Sequence, residues 1–223
     1  MTSIFRRALG PDYDRLHPRL QRRFGFSSAD GIACVGRGTM ERVWHGRGFT
    51  RPFLELGARR HILVADTGRD IPFTIENYAY RDSFGRETVT FARTFWFGVP
   101  QRWDATMIYS PERSAIVDYL GTHQHLAVDL HMSVDKHGSL LIRSGQQRFR
   151  QRGIGLEVPR LLTGAAQVRE WFDDDLDRFG IEVTVTNHRF GPLFGYRGSF
   201  VATYADAVTV PASVRPVRET PRP

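Results

Sequence analysis

Hydrophobic and polar residues alternate with a period of two along most of the chain from about residue 31 onwards. The pattern is clearest where two alternating runs, 72–81 and 86–97, flank the stretch DSFG, which has turn-forming residues at both ends. A period of two puts successive side chains on opposite faces of a strand. This region therefore predicts a β-hairpin.

Similar runs recur with short connections between them, and no strand–helix–strand alternation is visible, which predicts an antiparallel sheet of about ten strands. The stretch 157–174 is ambiguous and predicts a short helix or loop near 159–166, followed by a strand. The other strand predictions are GIACVGRGTMERVWHG (31–46, one strand with a bulge or two strands), RWDATMIYS (102–110), SAIVDYL (114–120), HQHLAVDLHMSV (123–134), SLLIRSG (139–145), RFGIEVTVTN (178–187) and LFGYRGSFVATY (193–204).

The strand count predicts a mainly β fold, either an antiparallel β-barrel or a strongly curved half-barrel. In the last hairpin Ile181, Val183 and Val185 share one face, and Phe194 and Tyr196 lie opposite them. Strands with large residues on one face suit a barrel with a lined cavity. A sandwich with a filled core is the alternative.

Three segments make up the chain. Apolar residues within 1–26 recur at near-helical spacing, which predicts a short helical N-terminus, interrupted at Pro18. Residues 27–205 form a single β domain, and the Pro- and Arg-rich segment 206–223 is expected to be a disordered tail. Cys34 is the only cysteine and is expected to be a small buried hydrophobe.

The net charge of +7 is concentrated at the two ends of the chain. Residues 1–26 hold six arginines and two aspartates, and residues 211–223 hold three arginines and one glutamate. Nucleic-acid-binding domains carry a basic stripe on the fold itself, so no nucleic acid is expected as a partner. No apolar run reaches membrane-spanning length and no signal peptide is visible, so we expect a cytoplasmic protein without membrane insertion.

The stretch THQHLAVDLHM places three histidines and Asp129 on one face of a strand, with Leu126, Val128 and Leu130 on the other. His131 lies roughly 20 Å from His125 along an extended strand, so these histidines cannot share one metal site. No metal site is predicted. The apolar side is expected to pack into the core, and the side with His123 and His125 to face a polar cavity or solvent.

The hairpin at 72–97 supplies further candidate site residues. With DSFG as a four-residue loop, Tyr78 lies opposite Val89 and Glu76 opposite Phe91, with Arg93 diagonal to Glu76. An acid and an arginine among aromatic rings are costly in a filled core but fit a wet cavity or an exposed sheet. Together with the histidines, this makes five candidate ligand-binding residues: Glu76, Tyr78, Arg93, His123 and His125.

The sequences of several stretches, over about residues 3–205, resemble a bacterial family known as domain of unknown function 4166. The resemblance is carried by SIFRRALG, RLHPRLQRRFG, GRGTMERVWHG, IENYAYRDSFGRETVTFARTF, DYLGTHQHLAVDLHMSV and NHRFGPLFGYRGSF. It implies no catalytic residue and no cofactor. Some members of that family occur alone, and others are fused to a Rossmann-type reductase or epimerase domain or to a YndJ-type membrane segment. The resemblance therefore implies a reductase-like or membrane protein partner.

Three functions remain open at this stage. The leading one is binding of a small, partly apolar ligand in a barrel cavity, which the supply of 16 Phe, 7 Tyr and 4 Trp favours. The second is an enzyme in which His125, with Glu76 or Asp129, performs acid–base chemistry on a carbonyl compound. The third is an interaction module that docks on a reductase-like partner.

Overall fold

The strands close into a ring in a computed structural model that describes residues 2–46, 60–151, 154–157, 164–207 and 209–221. Ten strands pair side by side around the ring, every pair is antiparallel, and β6 pairs with β7 to complete the circuit. The short β8 pairs with the far end of β7 outside this ring. The described strands are β1 (Ile32–His45), β2 (Gly68–Arg81), β3 (Glu87–Trp96), β4 (Pro100–Ser110), β5 (Ala115–Leu120), β6 (Leu126–Val134), β7 (Leu140–Gln151), β8 (Ile154–Glu157), β9 (Ala165–Asp173), β10 (Arg178–Asn187) and β11 (Gly191–Asp206).

The prediction of a closed antiparallel barrel is confirmed, and the filled sandwich is wrong. The expected bulge in β1 lies between Thr39 and Arg42. The expected pairing of the last hairpin is also present, since Val183 lies opposite Tyr196 and Val185 opposite Phe194. The helix or loop expected near 159–166 falls mostly outside the described residues.

The N-terminal segment forms a cap over one end of the barrel. It consists of α1 (Ile4–Leu9), a 3-10 helix (Gly10–Arg15) and α2 (Pro18–Gly25). Pro18 begins α2, where its missing N–H breaks no helical hydrogen bond. The backbone N–H of His17 donates to the carbonyl of Gly138 at 3.0 Å, which ties the cap to the β6–β7 turn. We call this the capped end; the opposite end is the loop end. The apolar side chains that the cap buries are Ile4, Phe5, Leu9, Leu16, Leu20 and Phe24.

The β2–β3 hairpin differs from its predicted register by one residue. Arg81 pairs with Glu87, and Tyr78 lies opposite Thr90, not opposite Val89. The loop has five residues because Asp82 closes it: its carboxylate accepts the backbone N–H of Arg86 at 2.9 Å, and its own N–H donates to the Arg86 carbonyl at 3.1 Å. A shift of one residue exchanges the two faces of a strand.

The C-terminal segment lies against the outer wall of the barrel, which differs from the disordered tail expected from its composition. Val214 is buried, and the backbone N–H of Val217 donates to the carbonyl of Thr122 at 2.8 Å. The Arg86 guanidinium donates to the carbonyl of Thr220 at 2.7 Å, and the Tyr80 hydroxyl donates to the Glu219 carboxylate at 3.2 Å. Specific side-chain and backbone contacts therefore compensate for a composition poor in large apolar residues.

No described helix is long and apolar enough to cross a membrane. Cys34 is fully buried, as predicted.

Candidate functional site: the cavity inside the barrel

The barrel encloses a cavity of about 480 Å³ between the cap and the loop end. Most of its wall is aliphatic or aromatic, because the inward positions of the period-two strands carry large apolar residues. Phe5 and Phe24 of the cap form its floor, and Ile62 and Leu63 border it near the loop end. Leu126, Val128, Leu130, Ile142, Val168 and Ile181 are among its aliphatic lining residues.

The polar side chains that line this apolar space include Arg93 from β3, Trp103 from β4, Asp118 from β5 and Tyr196 from β11. Ser144, Gln147, Glu170 and Asn187 also border the cavity. Arg93 and Trp103 are paired neighbours, with the guanidinium carbon 5.0 Å from the centre of the indole ring. The rings of Trp103 and Tyr196 meet edge to face at 5.8 Å between centroids. Asp118 lines the same cavity, close enough for the positive charge of Arg93 to act on its carboxyl group. We call these four side chains the interior polar cluster.

Each member of the interior polar cluster has a buried polar atom without a hydrogen-bond partner in the described part of the chain. The four atoms are Arg93 Nε, Trp103 Nε1, Asp118 Oδ1 and the Tyr196 hydroxyl. A buried polar atom without a partner costs about 1–3 kcal/mol, and native proteins contain few of them. No described residue satisfies these four atoms, which lie around one cavity.

The cavity also shifts the titration of two of these groups. Burial raises the pKa of Asp118 to about 7, although the positive charge of Arg93 opposes the rise. Burial raises the pKa of Tyr196 to about 12, so its hydroxyl keeps its proton at neutral pH. The interior polar cluster thus contains one cation, one neutral hydroxyl, one indole N–H and one acid that titrates near neutrality.

A second buried polar group lies at the capped end. Arg23 of α2 forms an ion pair with Glu170 of β9 and donates to the side-chain oxygen of Asn77 at 2.8 Å. Its guanidinium also contacts the Cys34 sulfur at 3.2 Å. Because Arg23 and Glu170 neutralise each other, they leave no net charge at this end of the cavity.

Among the five candidate residues expected from the sequence, Arg93 is the one that lines the cavity. The one-residue register shift places Glu76 and Tyr78 on the outer face of β2, while their neighbours Ile75 and Asn77 point inward. The structure therefore separates Arg93 from the acid expected beside it.

His123 and His125 precede β6 and do not line the cavity. His123 Nδ1 contacts the Thr122 hydroxyl at 2.8 Å, and His125 Nδ1 contacts the Arg60 guanidinium at 2.7 Å. Burial, and then the positive charge of Arg60, lowers the pKa of His125. The two rings lie 5.6 Å apart, and the described residues contain no group of three or more His, Cys, Asp or Glu side chains arranged to hold a metal ion.

The prediction for the apolar face of this strand is confirmed, since Leu126, Val128 and Leu130 all face the interior. On the opposite face Asp129 forms an ion pair with Arg148 at 2.7 Å and with Arg113 at 2.9 Å.

Sequence reasoning missed Asp118 and Trp103 as cavity groups; it placed Tyr196 on the large-residue face of the last hairpin but gave its hydroxyl no role. A signal for Asp118 was present, because it is an acid on the same strand face as Ile116 and Leu120, where alternation predicts a buried position. Trp103 carried no comparable signal, since aromatic residues at inward positions are ordinary core residues.

Comparison with known proteins places the chain in a family. The protein is 35% identical to the uncharacterized protein YndH of Bacillus subtilis (strain 168) over 201 residues, which are 90% of this chain and 97% of that protein. The family model described as a domain of unknown function, DUF4166, matches residues 16–200. That range runs from the cap through most of β11 and includes the whole interior polar cluster. The chain therefore belongs to the DUF4166 family.

Proposed function

We propose that the barrel binds a small, partly apolar molecule in its interior cavity. The single observation that carries the proposal is an internal space of about 480 Å³ with an apolar wall and a few polar groups, which is the composition of ligand pockets in general. Protein interiors are otherwise packed with few voids larger than a water molecule.

Energetics favour an occupant other than water. Leaving such a volume empty at roughly 24 cal/mol per Å³ would cost about 12 kcal/mol, which is comparable to the whole stability of a typical domain. Ordered water in a cavity needs two to four polar partners, and most of this wall offers none. An apolar molecule with a polar end fills the space and pairs with the interior polar cluster.

The contacts of His125 do not favour the enzyme alternative in the form expected from the sequence. His125 contacts Arg60, Glu76 lies on the outer face of β2, and Asp129 is engaged by two arginines. Docking on a reductase-like or membrane partner stays a prediction.

Titration with the neutral fluorescent probe N-phenyl-1-naphthylamine tests the proposal. We expect saturable binding with a stoichiometry of one and a blue-shifted emission. Val183→Trp fills part of the cavity and is expected to weaken binding at least about tenfold, the effect of losing one well-buried contact. The matched control is Val201→Trp, the same substitution at an exposed position of β11, which leaves binding unchanged. Equal binding by the two folded variants would show that the probe does not enter the barrel.

A further inference from the structure

Among the described residues, the lining of the cavity contains one cation without a counter-ion, Arg93. Arg93 makes no ion pair or hydrogen bond with any residue that the structure describes; its guanidinium lies 5.0 Å from the ring centre of Trp103 and 5.3 Å from that of Phe91. Arg23 and Glu170 neutralise each other near the floor of the cavity. A charge that is half buried among aromatic rings is costly unless an anion accompanies it.

Further hydrogen-bond donors lie near this cation, since Trp103 contacts both Arg93 and Tyr196. The Arg93 Nε–H, the Trp103 Nε1–H and the Tyr196 O–H all belong to side chains that line the cavity, and all three atoms lack a partner among the described residues. A carboxylate has two oxygens and about four acceptor positions, which these donors can fill. Charge-assisted bonds of this kind are about twice as strong as bonds between neutral groups.

We propose that the ligand is an amphipathic monocarboxylate, whose carboxylate binds Arg93, Trp103 and Tyr196 and whose apolar chain occupies the rest of the cavity. This inference rests on the proposed function and adds the chemical class of the ligand. The limit of one negative charge follows from Arg93, the one cation among the described residues that line the cavity. A dianion such as a phosphate monoester leaves one charge unmatched in an apolar space. A cationic head group is disfavoured by Arg93 itself.

The charge state of Asp118 also affects this proposed carboxylate site. It lies on β5 between Met107 of β4 and Val128 of β6, neither of which is charged, and Arg93 is the charged group that most affects it. In its protonated form it carries no charge and leaves Arg93 to the ligand carboxylate. In its ionised form it competes with the ligand for Arg93.

Three ligands of equal chain length distinguish this inference from the proposed function: decanoate, decanol and decylamine, measured by displacement of the neutral probe at pH 6. We expect decanoate to bind at least about tenfold more tightly than decanol, the effect of one charge-assisted hydrogen bond, and decylamine to bind most weakly. Equal affinities for decanoate and decanol would overturn the monocarboxylate inference while leaving the proposed function intact. Failure of all three ligands and of the probe would overturn the proposed function as well.

Variants locate the head group. Arg93→Gln is expected to remove the preference for decanoate over decanol and to leave decanol affinity unchanged. Arg197→Gln is the matched control, since Arg197 is exposed on the outer face of β11 next to Tyr196, and it keeps the preference. Tyr196→Phe retains the ring, so it tests the site even if Arg93→Gln does not fold; we expect it to weaken decanoate alone by about three- to tenfold, the effect of one hydrogen bond. A preference that survives both Arg93→Gln and Tyr196→Phe would overturn the assignment of these residues.

Discussion

Arg23 of the N-terminal cap and Glu170 of β9 form an ion pair that is almost completely buried, with 1% and 5% of their side chains exposed. The pair joins a helix to a strand 147 residues away in the sequence. Breaking a buried pair leaves one charge without compensation, whereas replacing both partners by apolar residues removes the problem. The cap is therefore held to the barrel by an interaction that is sensitive to the loss of either partner.

The first prediction follows from this pair. Arg23→Leu should reduce the free energy of unfolding by about 3–5 kcal/mol, because it leaves the buried Glu170 carboxylate without a counter-ion. The double variant Arg23→Leu/Glu170→Leu should recover most of that loss, as measured by urea denaturation. Arg19→Leu is the control, since Arg19 pairs with Asp177 on the surface, where such pairs contribute less than about 1 kcal/mol. Similar losses for Arg19→Leu and Arg23→Leu would contradict this account.

The second prediction concerns Asp118 and pH. Its pKa is about 7 in the folded state and about 4 in an unfolded chain, so between these values the folded state holds a proton that the unfolded state has released. The free energy of unfolding should therefore fall as pH rises through this window, by up to roughly 3 kcal/mol between pH 5 and pH 8.

Asp118→Asn should remove this pH dependence. The free energy of unfolding of the variant, relative to that of the unmodified protein, should therefore rise by up to roughly 3 kcal/mol from pH 5 to pH 8. Asp177→Asn, the same change in an exposed turn, should show no such growth. A constant difference for Asp118→Asn across the range would show that the folded-state pKa is not raised.

The third prediction concerns the effect of Asp118 ionisation on the affinity for decanoate. Raising the pH through about 7 ionises Asp118, which adds to the cavity a negative charge that interacts with Arg93. Decanoate should therefore bind more weakly at pH 8 than at pH 6, while decanol affinity should stay constant. In Asp118→Asn the decanoate affinity should lose this pH dependence. A decanoate affinity that rises with pH in the unmodified protein would be inconsistent with the proposed head-group site.

The fourth prediction concerns the residues that sequence reasoning favoured. Glu76→Ala, His123→Ala and His125→Ala should leave decanoate affinity within about twofold, because none of these side chains lines the cavity. A tenfold loss from His125→Ala would mean that the ligand also occupies the outer face near Arg60.

The fifth prediction tests the packing of the C-terminal tail. Val214→Ala should cost about 1–2 kcal/mol, since Val214 is 8% exposed, while Val217→Ala should have little effect, since Val217 is 75% exposed. Deleting residues 209–223 should lower the thermal midpoint by several degrees, about 1–3 kcal/mol at the midpoint. Equal stability of the truncated and full-length chains would contradict this packing and support the disordered tail predicted from the composition.

Much of the fold was predictable from the sequence because the signals are local. Alternation with a period of two marked the strands, and Pro18 and the apolar spacing marked the cap helices. The orientation of β6 followed from the same alternation, since Leu126, Val128 and Leu130 share one face of any extended strand. These features depend on backbone sterics and on the nearest few residues.

Register was less predictable than strand identity. Whether Arg86 belongs to the loop or to β3 depends on the hydrogen bonds of Asp82, and this one-residue choice decides which residues of β2 face the cavity. Alternation of polar and apolar residues in β2 is too weak at Glu76 and Tyr78 to settle the choice, because the outer face also carries large side chains.

The interior polar cluster was decided by the tertiary structure alone. The sequence determined strands with apolar inward faces, a helical N-terminus and membership of one family. Arg93 and Asp118 lie on β3 and β5, which both pair with β4. Tyr196 of β11 lies far away in the sequence and reaches Trp103 of β4 because β1 pairs with β11 and β6 pairs with β7 to close the ring. Ring closure is a long-range event governed by strand number, register and burial of the whole inner surface, so no local pattern of residues encodes which side chains face each other across the cavity.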